Sequence, residues 1–295
     1  MTIHPFDDRD GVIWFDGAMR PWREARLHVL SHGLHYASAV FEGERIYGRR
    51  VFRLRDHTRR LLRSAELLGF ALPFDLATLE AATCEAVAAS GLGDGYVRPI
   101  AWLGPEDMGI GAPGARAHVA IAVWPWPNLF GPGRAKTGIA LQIASWRRPP
   151  PTSAPVQAKA AGLYTICTIS RRRAERAGFD DALMLDHAGD VAEATGANLF
   201  LVRNGALVTP PPESFLDGIT RRTVIALAEG LGIPVTETPV GLADLDDAEE
   251  VFLTGTAYEV QPVAAIEERR YAVGPVTRRL EAAYADHVRA APVPA

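Results

Sequence analysis

The order of elements in this chain predicts an α+β protein of two domains joined by a short linker. Strands and helices come in blocks rather than in a regular β-α-β alternation. One stretch rich in proline and glycine, Trp126-Pro-Asn-Leu-Phe-Gly-Pro-Gly-Arg134, separates two such blocks, and 295 residues suffice for two cores of ordinary size. The expected division is a small N-terminal domain over 1–125, a linker over 126–136 and a larger C-terminal domain over 137–295.

Each element follows from local pattern. Val12–Phe15 and Ala18-Met19 flank Asp16-Gly17, whose positive φ angles make a tight hairpin. Val51–Leu54 reads as a short strand. Past Asp56, residues Leu61, Leu62, Ala65 and Leu68 share one helical face before Gly69, and a second helix follows around Leu76–Ala89. Tyr96–Leu103 and Ala117–Val123 read as buried strands. Beyond the linker, strand Ile139–Ala144, helix Leu163–Ala177 and strand Ala182–Leu185 precede a hairpin, Asn198–Arg203 and Ala206–Thr209 about Asn204-Gly205. Helix Thr220–Leu231 is expected to bury Val224, Leu227, Ala228 and Leu231; strands at Val235–Glu237, Val251–Thr254 and Val260–Ile266 lead to a final helix from about Val276.

Composition narrows the function. A chain 48% hydrophobic and 22% charged has the make-up of a soluble globular protein, and a formal charge of −4 gives no electrostatic reason to expect nucleic acid. The pairs and triplets Arg147-Arg148, Arg171-Arg172-Arg173 and Arg221-Arg222 read as solvated helix faces or local anion contacts. Cys84 and Cys167 fall far apart in helical segments, so no disulfide framework is implied. The first ten residues are polar and acidic, and no apolar run reaches about 18 residues. A cytoplasmic protein without a membrane span is expected.

The sharpest clue is an imbalance. Of 31 basic residues only Lys136 and Lys159 are lysines, and Lys159 lies in an uncharged run, Ala154-Pro-Val-Gln-Ala-Lys159-Ala-Ala-Gly-Leu-Tyr164. Arginine stays protonated, whereas a desolvated lysine can lose its proton and attack a carbonyl. Two readings stand at this point, a chemical amine and an ordinary surface lysine; Lys136, after Gly131-Pro-Gly-Arg134, reads as a linker charge.

Several motifs fail in context. Gly109-Ile-Gly-Ala-Pro-Gly114 spells a dinucleotide-binding loop, but a strand follows it where the fingerprint needs a helix. Lys136-Thr-Gly138 resembles a β-lactamase motif, yet neither lysine has a serine three residues upstream. His28, His32 and His35 lack an accompanying carboxylate or cysteine pattern, so no metal is expected.

A lysine that carries pyridoxal phosphate needs an acid for the pyridine nitrogen and an anchor for the phosphate. Val191-Ala-Glu193-Ala-Thr-Gly-Ala-Asn198 sets one carboxylate among apolar and small residues, either buried with a cationic partner or exposed in a loop. Gly218-Ile219-Thr220 opens a helix whose free N–H groups suit a phosphate, and Gly255-Thr256-Ala257 forms a turn between strands that can present more.

These segments, in this order, carry a resemblance that spans nearly the whole chain. His32-Gly-Leu-His-Tyr36-Ala-Ser-Ala-Val-Phe41-Glu-Gly43, Phe52-Arg-Leu-Arg-Asp-His57-Thr-Arg59-Arg-Leu61, Tyr96-Val-Arg98-Pro99, Ala158-Lys159-Ala-Ala-Gly162, Glu193-Ala-Thr-Gly-Ala-Asn198, Leu216-Asp-Gly-Ile-Thr220-Arg221 and Thr254-Gly-Thr-Ala257 are similar to motifs of the class IV aminotransferases. These are the fold-type IV pyridoxal-phosphate enzymes, of D-amino acid aminotransferase-like fold, and the chain most resembles their branched-chain amino acid aminotransferases. The resemblance implies that Lys159 bonds pyridoxal 5'-phosphate and shuttles the substrate proton, that Glu193 pairs with the ring nitrogen and Tyr164 with the ring hydroxyl, and that Arg59, Leu216, Ile219, Thr220 and Thr256 help to hold the cofactor and its phosphate. It further implies that Thr256-Ala257, helped by Tyr96 and Arg98, receive the substrate carboxylate, while Tyr36, Phe41, Gly43, Met108 and Trp126 shape the side-chain pocket.

The implied reaction is ping-pong transfer of an amino group between branched-chain L-amino acids and 2-oxoglutarate, in a homodimer or larger homo-oligomer. Relatives of this fold also act on D-amino acids or (R)-amines, or cleave aminodeoxychorismate; a pyridoxal-phosphate carrier without turnover would leave the Tyr96/Arg98 pair unexplained. Two residues depart from the family pattern. Leu163 replaces a polar residue after Gly162, and Glu44, where an apolar residue is usual, is expected to pair with Arg45 or to alter substrate preference.

Overall fold

The computed structural model describes residues 5–127 and 129–290. Contacts divide it into two units: one runs to Trp126 and takes in Ala158–Gly162, the other comprises Pro127–Gln157 and continues from Leu163. The segment of Lys159, expected with the C-terminal domain, thus falls in the first unit. Asn128 of the expected linker, and 291–295 of the expected C-terminal domain, lie outside the described residues.

The first unit is a sheet with two helices on one face. Its elements are β1 (Val12–Phe15), β2 (Ala18–Pro21), α1 (His32–Tyr36), β3 (Ala39–Phe41), β4 (Glu44–Tyr47), β5 (Arg50–Val51), α2 (Leu54–Leu67), α3 (Leu76–Ser90), β6 (Gly95–Leu103) and β7 (Ala117–Trp124). Among the described residues its seven strands run β2-β1-β7-β6-β4-β5, with β3 also on β6, every pair antiparallel. The expected strand at Val51–Leu54 stops early, because Arg53 turns to φ 54° and α2 begins at the next residue. Asp75 caps α3 by accepting the Thr78 N–H at 2.8 Å, and Gly91, at φ 68°, ends it.

Leu61 and Ala65 of α2, with Leu79, Ala82 and Ala86 of α3, bury against Val40, Ile46, Val97, Ala101 and Ile121 of the sheet. Side chains alternate along a strand, so Tyr96 and Arg98 point to the face opposite Val97 and away from the helices. Register adds Arg45, opposite Tyr96, to that second face, and puts Glu44, opposite Val97, on the helix side.

The second unit holds α4 (Gly131–Thr137), β8 (Ile139–Arg147), α5 (Tyr164–Arg176), β9 (Asp181–Leu185), β10 (Val191–Ala194), β11 (Asn198–Arg203), β12 (Ala206–Thr209), α6 (Ile219–Gly230), β13 (Val235–Glu237), β14 (Glu250–Gly255), β15 (Glu259–Ile266), β16 (Arg269–Arg270) and α7 (Pro275–Arg289). Helix α4 occupies much of the stretch expected as a linker, with Lys136 exposed in its last turn. The nine strands described run β10-β9-β8-β15-β14-β11-β12-β13, with β16 on β15. One further rung, Glu193 opposite Asn198, pairs β10 with β11 and closes six of the strands into a ring.

Ile139, Leu141, Leu183, Leu199, Leu201, Val251, Leu253 and Val263 form one buried cluster in this unit. Phe200 and Phe252, between these residues on β11 and β14, are buried too. These cross-strand partners stack with centroids 5.0 Å apart, while α6 and α7 pack against β14. A strand covered on both faces has no polar side, hence the unbroken Leu199-Phe-Leu-Val202.

Two glycines separate strain from crowding. Gly138 sits at φ 82°, and a Cβ there would lie 2.7 Å from the Ala264 nitrogen; Gly48, at φ 57°, has nothing within 4 Å of that position. Gly138→Ala is expected to lower the thermal midpoint strongly, through a loss of roughly 3 kcal/mol, and Gly48→Ala by about 1 kcal/mol. Parallel thermal melts check the ranking.

Candidate active site

In the first unit Lys159 is held by its backbone on both sides. Its N–H donates to Ser64 Oγ at 2.9 Å, its carbonyl accepts the Phe41 N–H at 3.1 Å, and Ala160 bridges to Val40. The side chain is left to reach over Phe41, with Nζ 5.1 Å from the ring centroid. Arg98 also faces that ring, its guanidinium carbon 4.8 Å from the centroid, and donates to Tyr96 Oη at 3.2 Å. Trp126 stacks on Tyr96 at 4.7 Å. Gly43 lets Tyr96 lie there, because any Cβ at that position would overlap the phenol oxygen.

The structure therefore gathers Lys159, Phe41, Gly43, Tyr96, Arg98 and Trp126 into one cluster of two cations and three aromatic rings. Tyr36 stands apart, half-exposed and packed on the rings of His32 and His35; Met108 is half-buried in the 104–116 loop, which Asp107 shapes by accepting the Gly109 and Gly114 N–H groups. Arg59 is exposed on α2. The three histidines considered for metal each bond to backbone instead: His28 accepts the Leu30 N–H, and His32 and His35 meet the carbonyls of Gly109 and Val29. Among the described residues no cluster of His, Cys, Asp and Glu is placed to hold a metal.

Behind the cluster lies a charge network that sequence reasoning missed. Glu42, fully buried, accepts two bonds from Arg60 at 2.6 and 2.9 Å and one from His57 Nδ1 at 2.7 Å. Burial raises its pKa, but Arg60 and His57 outweigh burial and hold the carboxyl well below the usual range. Burial pushes the His57 pKa down, against the pull of Glu42, and beside the Glu42 carboxylate Nδ1 carries the donated proton. Glu42 sits between Phe41 and Gly43, and its anchoring sets the direction of that strand end. The signal was present in Glu42, His57 and Arg60, all within resembling motifs, but nothing local joined them.

Glu44 does not pair with Arg45. The two are neighbours on β4 and project to opposite faces, and Glu44 is buried on the helix side with Oε2 lacking any partner among the described residues. Burial, then the nearby Glu42, pushes its pKa well above the ordinary value.

In the second unit Glu193 occupies the ring-closing rung. It is 8% exposed, so the buried reading holds and the exposed-loop reading does not. Arg148 Nε lies 3.4 Å from Oε1, and Asn198 Nδ2 donates to Oε2 at 3.2 Å and to the Leu216 carbonyl at 3.1 Å. Asn198 in turn fills the space where a side chain at Gly218 would stand, so Gly218 can lead directly into α6. Ile219 and Thr220 are buried in the first turn of that helix, which no side chain caps. Thr256 and Ala257 form a half-buried turn after β14, and the Thr254 hydroxyl beside it is buried without a hydrogen-bond partner among the described residues. Tyr164 begins α5, one residue past the Leu163 carbonyl to which Arg148 donates at 3.3 Å.

Of the arginines expected on solvated helix faces or in local anion contacts, Arg148 and Arg221 are buried and make anion contacts. Arg148 is 4% exposed; burial would lower its pKa, but Glu193 reverses that and raises it. Arg221 is 2% exposed and bonds Asp217, Glu237 and the Pro210 carbonyl, pinning the start of α6, whereas its neighbour Arg222 is exposed. Cys84 and Cys167 are both free thiols, as expected.

The ring-closed unit and the sheet unit define a fold-type IV enzyme, with an amine in one and a buried carboxylate beside an open helix N-terminus in the other. The sequence model described as amino-transferase class IV matches residues 39–266, and the chain belongs to that family. It is 39% identical over 288 residues to a branched-chain-amino-acid aminotransferase of Pseudomonas aeruginosa, covering 95% of this chain and 94% of that one. A 38% identity over 281 residues links it to the Escherichia coli enzyme of the same name, with 92% and 91% covered. Among solved structures, the branched-chain aminotransferase of Thermoproteus uzoniensis with norvaline matches with a TM-score of 0.91 at 38% identity, covering 95% of both chains. That of Thermobaculum terrenum in its PLP-bound holo form matches with 0.87 at 33%, covering 95% of this chain and 94% of that one.

Glu44 gives a pH signature. Its folded pKa lies above the ordinary value of about 4.3, so its contribution to stability is full below that pH and is lost as pH rises toward the folded pKa. Glu44→Gln is expected to leave stability nearly unchanged near pH 4 and to raise it by on the order of 1–2 kcal/mol by pH 8. Denaturation midpoints across that range, wild type against variant, check both sign and window.

Proposed function

We propose that this chain is a pyridoxal-phosphate-dependent transaminase that exchanges the amino group between leucine, isoleucine or valine and 2-oxoglutarate in a ping-pong sequence. The observation that carries it is Lys159: one of two lysines, pinned through its backbone to Ser64 and Phe41, with its amine kept beside Phe41 and Arg98. The names of the relatives support the substrate class.

The residues of the second unit fit this cofactor. An uncapped helix start with no side chain at Gly218 suits a phosphate, and Thr254, near the end of β14, supplies a hydroxyl without a hydrogen-bond partner among the described residues. Glu193 would meet the pyridine nitrogen, its carboxylate oriented by Arg148 and Asn198. Tyr164 would bond the ring hydroxyl, and Arg59, Leu216, Ile219, Thr220 and Thr256 would hold cofactor and phosphate. Bound pyridoxal phosphate supplies an electron sink for the pair left at the substrate Cα when its proton departs.

Lys159 performs the proton transfers. Freed when an amino acid binds, its amine would take the substrate Cα proton and hold it for return to the bound group. Tyr96 and Arg98, with the Thr256-Ala257 backbone, fix the substrate carboxylate, and Phe41, Gly43 and Trp126, with Tyr36 and Met108, bound an apolar pocket suited to a branched side chain. The first 2-oxo acid leaves before the second binds.

Assembly belongs to the same proposal. Leu27, Val29, Leu30, Leu34 and Tyr36 form an exposed apolar run, from 44% to 74% accessible, which supports a homodimer or larger homo-oligomer. Among the described residues no helix is long and apolar enough to cross a membrane. A cytoplasmic site of action is proposed, consistent with two free thiols.

Lys159→Ala is expected to abolish both turnover and the absorbance band of covalently held cofactor, and a variant that keeps both would sink the assignment. An amino-donor panel tests the substrate class. Conversion of L-leucine, L-isoleucine and L-valine with 2-oxoglutarate is expected, and preference for D-amino acids or (R)-amines would redirect it.

A further inference from the structure

Asp181 begins β9 and is fully buried, yet it has no part in the proposed chemistry. Its Oδ2 accepts the Tyr258 hydroxyl at 2.6 Å; its Oδ1 accepts the Thr195 hydroxyl and the Ala182 N–H. Arg171 of α5 completes the cluster, 3.0 Å from Tyr258 Oη and 3.5 Å from Asp181 Oδ2. The Arg171 guanidinium lies over Phe130, whose ring meets Tyr258 edge-on at 5.4 Å. Arg171 also pairs with Glu175 at 3.0 Å, so each of these groups has a partner, the condition under which a buried polar network rigidifies its surroundings.

The two hydroxyls lead to different places. Thr195 lies in the turn Thr195–Ala197, two residues after Glu193, while Tyr258 closes the turn Gly255–Ala257 by donating its N–H to the Gly255 carbonyl at 3.1 Å. Both turns contain glycine, and the Tyr258 ring lies between them: a Cβ at Gly196 would touch it at 3.6 Å and one at Gly255 at 3.4 Å. Glycine turns do not hold their own conformation. Phenylalanine would fill the same volume, so the hydroxyl adds a tie, not packing.

We propose that Asp181 is a positioning residue that, through Tyr258 and Thr195, locks the turn carrying Thr256 and Ala257 to the turn following Glu193. The inference rests on the reading of Thr256-Ala257 as the seat of the substrate carboxylate and of Glu193 as the partner of the cofactor ring. One carboxylate then sets the spacing between two binding elements about sixty residues apart in sequence, each cut by a different single substitution.

The test is made on the holoenzyme with 4-methylvaleric acid, a branched carboxylate without an amino group, by titration calorimetry. Tyr258→Phe is expected to weaken its binding about tenfold and to raise KM for leucine similarly, with kcat changed by less than about twofold, since a hydrogen bond to a charged acceptor is lost. Thr195→Val, which frees the other arm, is expected to weaken binding of pyridoxal phosphate to apoenzyme by about tenfold. Unchanged carboxylate affinity in Tyr258→Phe overturns the proposal, whether or not its melting temperature falls. A loss in kcat alone, with both affinities intact, overturns it too. Wild-type holoenzyme that binds no carboxylate would overturn the reading of the site and this inference with it, whereas wild-type binding alongside an unaffected Tyr258→Phe separates the two failures.

Discussion

An ionised carboxylate taken out of water costs several kcal/mol unless donors surround it, and that constraint runs through both units. Glu42 is ringed by Arg60 and His57, Glu193 by Arg148 and Asn198, and Asp181 by Arg171, Tyr258 and Thr195. Glu250 accepts the N–H groups of Val276 and Thr277 at the start of α7, at 3.1 and 2.7 Å. Apart from Glu193–Asn198, none of these pairings is local. Each draws together elements that apolar packing alone would leave free to slide, and Glu44 shows the alternative, a buried carboxyl whose Oε2 has no donor among the described residues and whose pKa is pushed well up.

Elements with a strong period or a definite turn were legible in the sequence. The hairpins at Asp16-Gly17 and Asn204-Gly205, the helices over Leu76–Ser90 and Tyr164–Arg176, and the strands of the second unit lie within a few residues of expectation, because glycine turns and apolar spacing act locally. The short elements α1, β3, β4 and β10 were not legible as structure. Their residues, among them Phe41, Glu44 and Glu193, follow tertiary partners rather than a period.

The buried arginines show the same limit from another side. Charge pairs such as Arg147-Arg148 look solvated because sequence reveals sign and not partner. The structure exposes Arg147 at the end of β8 and buries Arg148 just past it, beside Glu193. Strand alternation bears on Glu44 and Arg45, which adjacency suggested as a pair and alternation separates. Lysine scarcity singled out Lys159, but the anchors of that residue, Ser64 and Phe41, are roughly a hundred residues away and no spacing discloses them.

The five residues Ala158–Gly162 belong by contact to the first unit although the chain on either side belongs to the second. Modular exchange is where this matters. A chimera spliced at residue 126 would take Ser64 and Phe41 from one parent and the lysine from the other, so the backbone grip on Lys159 would become a matter of parental compatibility. Specificity transplants in this scaffold are better drawn with two cuts than one, carrying the short lysine segment along with the sheet that holds it.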